Sequence, residues 1–206
     1  MSEGLSLKKR WIEKRKRDQF YKRARELGYK SRAAFKLKEI QRRFKIMRAG
    51  YRVLDLGAAP GGWVQVSLEY VKPNGSVVGV DIKDLRIVDP NFIHIKGDVK
   101  EENTLTRILS THSHYDVVLS DLSPNLTGIW SLDHERQIDL CYEALNISSK
   151  VLRRGGSLVL KVFDGPRSRE FAEACKSRFK KFYRIKPKAS RKRSSEMYFV
   201  CLGFKG

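Results

Sequence analysis

Three observations predict an α/β domain built on a mostly parallel sheet with an antiparallel last strand. From residue 50 onward, short apolar β-branched runs alternate with helical stretches, the pattern of a parallel sheet covered on both faces by helices. The first of these runs leads into a glycine-rich turn that opens a helix. The last two runs are only about ten residues apart, and a parallel crossover needs about a dozen or more.

Each element has its own signal. Residues 5–27 read as a polar, basic helix anchored by Leu5, Trp11, Ile12, Phe20 and Leu27, with Gly28 ending it. Ser31 is placed to cap a second helix over about 32–46, where Ala34, Leu37, Ile40, Phe44 and Met47 recur at helical spacing. Strands follow at 51–56, 76–80, 92–95 and 115–120, and acids follow the last three as Asp81, Asp98 and Asp121. Helices fall near 62–71, 101–111 and 132–153, the last stopped by Gly155-Gly156. Residues 157–163 make a fifth strand, 168–179 a helix, and 181–186 and 196–203 the closing antiparallel pair.

The chain's 206 residues suit one domain with a short extension, read as a basic helical extension over 1–48 and one globular unit over 49–206. No apolar run approaches the roughly 20 residues of a membrane span. The basic N-terminus has no apolar stretch behind it and does not read as a signal peptide. Cys141, Cys175 and Cys201 are odd in number and far apart, which fits buried, reduced thiols and a cytoplasmic location better than a disulfide framework. A monomer with no obligate protein partner and no membrane association is expected.

The net charge of +20 is segregated. Residues 1–48 carry 18 basic and 5 acidic side chains, and 176–193 carry 10 basic and no acidic ones. The remainder is slightly acidic, so the basic groups bracket an ordinary domain. A solvated face would mix both signs, whereas segregation of this kind marks a polyanion footprint, here nucleic acid. The basic stretches lack the Trp/Phe/Leu face that an anionic membrane surface requires.

The turn Asp55-Leu-Gly-Ala-Ala-Pro-Gly-Gly-Trp63 carries most of the chemistry. In open parallel sheets, ligands lie beyond the carboxyl ends of strands at such a turn. Gly57, Gly61 and Gly62 let backbone approach a ligand. The spacing is not the dinucleotide Gly-x-Gly-x-x-Gly, and Pro60 lacks the N–H of a phosphate cradle. A nucleoside without a pyrophosphate fits better. Asp81 is placed to accept from ribose hydroxyls and Asp98 from an adenine amino group. Any one acid is explained by a turn role; the set together with the glycine loop describes an adenosine site.

Five motifs then occur in order: Gly28-Tyr29-Lys-Ser-Arg-Ala-Ala-Phe-Lys36-Leu, the Asp55–Trp63 turn, Ser-Asp121-Leu-Ser-Pro-Asn125, Leu-Lys161-Val-Phe, and Ser-Ser-Glu196-Met-Tyr. In these the chain resembles the FtsJ/RrmJ (RlmE-type) ribose 2′-O-methyltransferases, from about Tyr29 to Gly203. The resemblance implies a Rossmann-like methyltransferase sheet, S-adenosylmethionine as cofactor, S-adenosylhomocysteine as product and no metal. It implies a cofactor site at Asp55, Gly57, Ala58, Pro60, Gly61, Gly62, Trp63, Asp81, Asp98 and Asp121, with the methionine end against Gly61–Trp63. It implies a catalytic set of Lys36, Asp121, Lys161 and Glu196, and as substrate a uridine of large-subunit rRNA. The readings that compete are a tRNA anticodon-loop 2′-O-methyltransferase and a non-catalytic RNA-binding assembly factor with the same fold; the intact catalytic set counts against the second.

The residue types suit that chemistry. A 2′-hydroxyl is a poor nucleophile until its proton leaves, so a proton acceptor must be aligned with it. Lys161, inside an apolar strand, needs a partner or a task. A lysine accepts a proton only when neutral; burial and the nearby Lys36 favour that form, and Asp121 and Glu196 oppose it while orienting the amine. Other features are weaker. His112-Ser-His114 lacks a third metal ligand and reads as a loop. His134 reads as a helix-start residue. Trp63 serves equally as a cofactor neighbour or as core. Tyr21, Tyr29 and Phe35 lie among basic residues and could stack on bases, although helix packing suits Phe35 better.

Deleting residues 1–25 removes ten basic side chains. RNA affinity should then fall and its log–log dependence on salt should flatten, by roughly 0.7–0.9 for each phosphate no longer neutralised, while cofactor binding survives. Filter binding across a salt series measures this, and an unchanged slope would put the RNA footprint elsewhere.

Overall fold

The computed structural model describes residues 18–191 and 193–206. Seven strands form one sheet in the order β3-β2-β1-β4-β5-β7-β6. They are β1 Arg52–Leu56, β2 Ser76–Asp81, β3 Phe92–Lys96, β4 Tyr115–Ser120, β5 Leu152–Phe163, β6 Phe179–Ile185 and β7 Glu196–Phe204. The pairings among β1 to β5 are parallel. The last strand, β7, inserts between β5 and β6 and runs antiparallel to both. The helices are α1 Gln19–Glu26, α2 Ala33–Phe44, α3 Gly62–Val71, α4 Glu102–Thr111, α5 Trp130–Val151 and α6 Ser168–Arg178.

Successive strand residues point to opposite faces, and here both faces are apolar. Val53, Val77, Val117, Leu119, Val159 and Val200 pack beneath α2 and α3, with Ala34, Leu37, Ile40, Trp63 and Val64. Leu54, Leu56, Val78, Val80, Val118, Leu158 and Leu160 pack beneath α4, α5 and α6, with Ile108, Ile138, Leu145 and Phe171. Double coverage explains why these strands read as continuous apolar runs rather than alternating ones. The strand order reverses between β1 and β4, and the two strand ends meet there, the Asp121 amide bonding the Leu56 carbonyl at 3.1 Å.

The structure revises several boundaries. The first basic helix is described only over Gln19–Glu26, where Asp18 caps it by accepting from the Phe20 and Tyr21 amides; residues 5–17 lie outside the described residues. Ser31 does not cap α2. Arg32 holds that position without a side-chain bond, and the Ser31 hydroxyl instead lies against Gly62, 2.3 Å from where a Cβ would stand. Gly155-Gly156 does not stop the long helix either. Helix α5 ends at Val151 because Leu152 turns extended and pairs with Tyr115 in the sheet. The two glycines lie within β5, where its pairing with β4 shifts register: Gly155 has φ +82°, and a Cβ on Gly156 would meet the Arg153 carbonyl at 2.9 Å. His134 lies five residues into α5, buried, with its Nε2 accepting from the Arg167 amide at 3.2 Å.

All three cysteines are free and buried, and burial pushes the Cys141 thiol up to about 12. Among the described residues no helix is long and apolar enough to cross a membrane.

Gly79, in the middle of β2 opposite Asp55 and His94, has no room for a side chain. A Cβ there would stand 2.9 Å from the Phe92 ring and 3.0 Å from the Ala58 methyl. Gly79→Ala should therefore lose about 1–3 kcal/mol of stability by overpacking. Denaturant unfolding tests this, and an unshifted midpoint would show that Phe92 yields freely.

Candidate active site

A cleft of about 490 Å³ opens at the carboxyl ends of β1, β2 and β4. Gly57, Asp81, Asp98 and Asp121 line it, joined by the Leu122–Asn125 loop and by Arg136 and Asp139 of α5. The turn after β1 closes on β2, the Gly57 and Ala58 amides both bonding the Val80 carbonyl. Gly57 has φ +78°, and a Cβ there would meet the Leu122 amide at 3.0 Å, so only glycine lets the two loops approach. Asp81 accepts one backbone N–H on each oxygen, from Ala59 at 2.9 Å and Lys83 at 2.8 Å. Asp98 accepts from the Lys100 amide at 3.0 Å. Each carboxylate is thus locked in orientation and keeps free acceptor capacity. The volume falls in the range of small-molecule sites, and the fixed acceptors at the rim fit a nucleoside.

At one end of this cleft three strand residues and one strand-end residue converge. Lys161 lies directly opposite Tyr198 across β5 and β7, and Glu196 is two residues before Tyr198 on the same strand face. Asp121 follows the end of β4. The Lys161 Nζ donates to the Asp121 backbone carbonyl at 2.8 Å and lies 3.4 Å from its carboxylate. Helix α2 brings in Lys36, which ion-pairs with Glu196 and donates to the Tyr198 hydroxyl at 3.1 Å. The Tyr198 hydroxyl donates in turn to Asp121 Oδ1 at 2.8 Å. Lys36 and Lys161 are both buried, so each amine is held by the acceptors that desolvation demands.

All four catalytic candidates therefore meet in one group. Tyr198 is the member that sequence reasoning missed, since the motif containing it points first to Glu196. Its ring is fully buried, packs 5.6 Å from Trp63, and its hydroxyl is the bridge between Lys36 and Asp121. Burial, then Asp121, then Glu196 raise its phenol well above the ordinary value, which keeps the bridging proton in place. The strand alternation of Glu196 and Tyr198 was the available signal.

The candidate cofactor residues divide. Gly57, Asp81, Asp98 and Asp121 line the cleft. Pro60 and Gly61 lie outside its lining, and Asp55, Ala58, Gly62 and Trp63 are buried behind it. The Trp63 indole N–H donates to the Ala33 carbonyl at 2.8 Å, which ties α3 to α2. Phe35 packs between Phe20 and Tyr29, as helix packing requires. His112 bonds the Ser76 hydroxyl at 2.9 Å. The two basic segments, far apart in sequence, meet beside the lysine group: Arg32 bonds the Ala189 carbonyl, and the Lys188 amide bonds Glu39 at 2.8 Å.

The chain is similar in sequence and in fold to known proteins. A sequence model of the family described as FtsJ-like methyltransferase matches residues 29–204. The chain is 46% identical over 191 residues to the ribosomal RNA large subunit methyltransferase E of Cenarchaeum symbiosum, covering 93% of this chain and 97% of that one. It is 42% identical to the protein of the same name from Methanocaldococcus jannaschii, covering 96% and 83%. Among solved structures, a Plasmodium falciparum protein described as a candidate ribosomal RNA methyltransferase superposes with a TM-score of 0.77 at 26% identity, over 86% of this chain and 100% of that one. The methyltransferase MycE, solved with Mg and SAH, shares the fold at a TM-score of 0.56 and 18% identity, over 83% and 47%.

Asp55 has a testable consequence. It is fully buried beneath the cleft, and neither carboxylate oxygen has a hydrogen-bond partner among the described residues. Burial, then Asp121 and Asp81, raise its carboxyl well above the ordinary range. Above about pH 3.9 the unfolded chain releases this proton and the folded one retains it, so the folded state loses stability as pH rises toward the raised pKa. Asp55→Asn lacks the proton and escapes that loss. The variant's melting temperature relative to the parent should rise from pH 4 to pH 8 in cofactor-free protein; a difference independent of pH would mean that Asp55 is ionised in the fold.

Proposed function

The chain belongs to the FtsJ-like methyltransferase family, and we propose that it methylates a uridine 2′-hydroxyl of large-subunit ribosomal RNA. The methylation of large-subunit rRNA at a ribose 2′-oxygen, dependent on S-adenosylmethionine, is the activity of this family; the uridine, the roles of individual residues and the RNA footprint are our reading. The observation that supports it is the Lys161–Asp121–Tyr198–Lys36 network at the end of an acid-rimmed nucleoside cleft.

S-adenosylmethionine supplies the methyl group on a sulfonium centre; when bound, it would give up that methyl to the ribose oxygen and leave as the neutral thioether S-adenosylhomocysteine. Asp81 and Asp98 would hold the ribose and adenine, their orientations being set by backbone amides. Gly57 and the Leu122–Asn125 loop form the walls. Lys161 would take the hydroxyl proton. A neutral amine has two N–H bonds and one lone pair. The Asp121 carbonyl at 2.8 Å and its carboxylate at 3.4 Å engage the two N–H groups, which leaves the lone pair for the acceptor hydroxyl. Asp121 is kept in place by the Tyr198 hydroxyl, and Lys36 and Glu196 hold that tyrosine's surroundings together. We assign residues 1–48 as a basic RNA-gripping extension and 49–206 as the methyltransferase domain, acting in the cytoplasm as a monomer.

Lys161→Ala should lose methyl transfer while keeping both ligands, because its contribution is made in the transition state. Loss of general-base help amounts to about 10²- to 10⁴-fold. Glu196→Ala should be milder, since Glu196 acts on Lys36 and Tyr198 rather than on Lys161 itself. Mapping of 2′-O-methyl sites on rRNA, followed by single-turnover rates at saturating cofactor and RNA, tests this; a near-normal rate in Lys161→Ala would remove it as the proton acceptor.

A further inference from the structure

Ten large apolar or tyrosine side chains stand open among the described residues, and four of them, Leu126, Ile129, Trp130 and Leu132, fall within seven positions. Open apolar residues are ordinary when scattered singly, and a cluster marks a contact surface. This cluster continues the Leu122–Asn125 wall of the cleft. Trp130, the first residue of α5, is 48% exposed. Its ring is backed rather than loose: Phe163 stacks on it at 6.0 Å and 28°, and His134 lies 5.7 Å away.

Trp130 is also held in a fixed relation to the reacting end. Phe163 is the last residue of β5, two beyond Lys161. Gln137 of α5 donates to the Lys161 carbonyl at 3.0 Å. Trp130 lies seven residues up the helix from Gln137, about 10 Å at 1.5 Å per residue. The loop before it is pinned, since Asp133 accepts from the Thr127 amide and hydroxyl at 2.7 and 2.8 Å and from the Gly128 amide at 3.1 Å.

We propose that Trp130, backed by Phe163, is a stacking platform for a nucleobase of the RNA strand beside the acceptor ribose. The proposal rests on the RNA ribose methylation argued above and adds the element that grips a base. A rigid aromatic face open to solvent binds any base by stacking, without reading its edge. The basic groups provide phosphate contacts, which carry affinity and leave the sugar's position along the strand unset. A stacked base next to the cleft sets that position. The occupant is a single-stranded base, because a paired base in a duplex does not offer its face.

The test uses the full-length protein and a short single-stranded oligouridylate, read by tryptophan emission and by anisotropy of labelled RNA. Stacking should quench the emission of the parent protein clearly more than that of Trp130→Phe, while Trp130→Phe binds within about threefold of the parent. Trp130→Ala should bind RNA about tenfold more weakly, as removal of one stacked base predicts, with an unchanged salt slope and unchanged S-adenosylmethionine affinity. On an rRNA substrate the same variant should raise KM more than it lowers kcat, and an abasic nucleotide at the gripped position should abolish the difference between parent and Trp130→Ala. Unaltered RNA affinity in Trp130→Ala, or equal quenching in the parent and Trp130→Phe, overturns the proposal. So does a concentration-dependent dimer that Trp130→Ala dissolves, which would assign the patch to self-association. Because quenching and affinity are read without turnover, a protein that bound oligouridylate through Trp130 but methylated no RNA would refute the proposed reaction and leave the platform standing.

Discussion

The Tyr198 hydroxyl, accepting from Lys36 and donating to Asp121, is the contact on which the site depends. It joins α2 to the ends of β4 and β7, elements far apart in the chain. The group it links contains two buried lysines, each needing an acceptor once water is excluded. Glu196 and Asp121 supply acceptors to them, at 3.4 Å or closer. A buried polar network of this kind is stable only when each member is satisfied. Loss of the bridging hydroxyl would leave the Lys36 and Asp121 ends without their common partner. The position of Lys161 relative to the cleft is therefore a property of the whole network.

The sheet topology explains why the acids collect where they do. In a parallel sheet all the carboxyl ends point one way, so Asp55, Asp81, Asp98 and Asp121 gather at one edge. Gathering like charges raises their mutual repulsion, and the structure relieves it unevenly. Asp81 and Asp98 are held by backbone amides and stay at the rim, while Asp55 is driven toward its neutral form by burial and by its neighbours. With that carboxyl pushed toward its neutral form beneath the cleft, the half-buried Asp81 and Asp98 keep acceptor capacity for a nucleoside.

The substrate side is built from different material. The basic segments 18–48 and 176–191 come together beside Lys36 and Glu196 through the Arg32–Ala189 and Lys188–Glu39 contacts. The open apolar residues Leu126, Ile129, Trp130 and Leu132 lie at or just before the start of α5, with Trp130 stacked on Phe163 at the end of β5. Phosphate attraction and base stacking together would fix an RNA strand beside the lysine network.

Much of this was legible in the chain itself. Alternating apolar runs set the order of strands and helices, because a sheet covered on both faces must bury every strand residue. The short connection between the last two strands required an antiparallel pair, and the ordered motifs pointed to Lys36, Asp121, Lys161 and Glu196, the four side chains that the fold brings together. Three things were decided only by the tertiary structure. Strand β7 enters between β5 and β6, since strand order is a long-range choice that local periodicity does not encode. That insertion sets Tyr198 opposite Lys161, so a residue that reads as one more apolar strand position becomes the bridge of the site. And the helix stop assigned to Gly155-Gly156 moved to Val151, because pairing of Leu152 with Tyr115 overrides the local glycine signal, and the glycines serve the bulge instead. Local propensity settles which element forms; which side chains face each other depends on register, and register is fixed only when the strands pair.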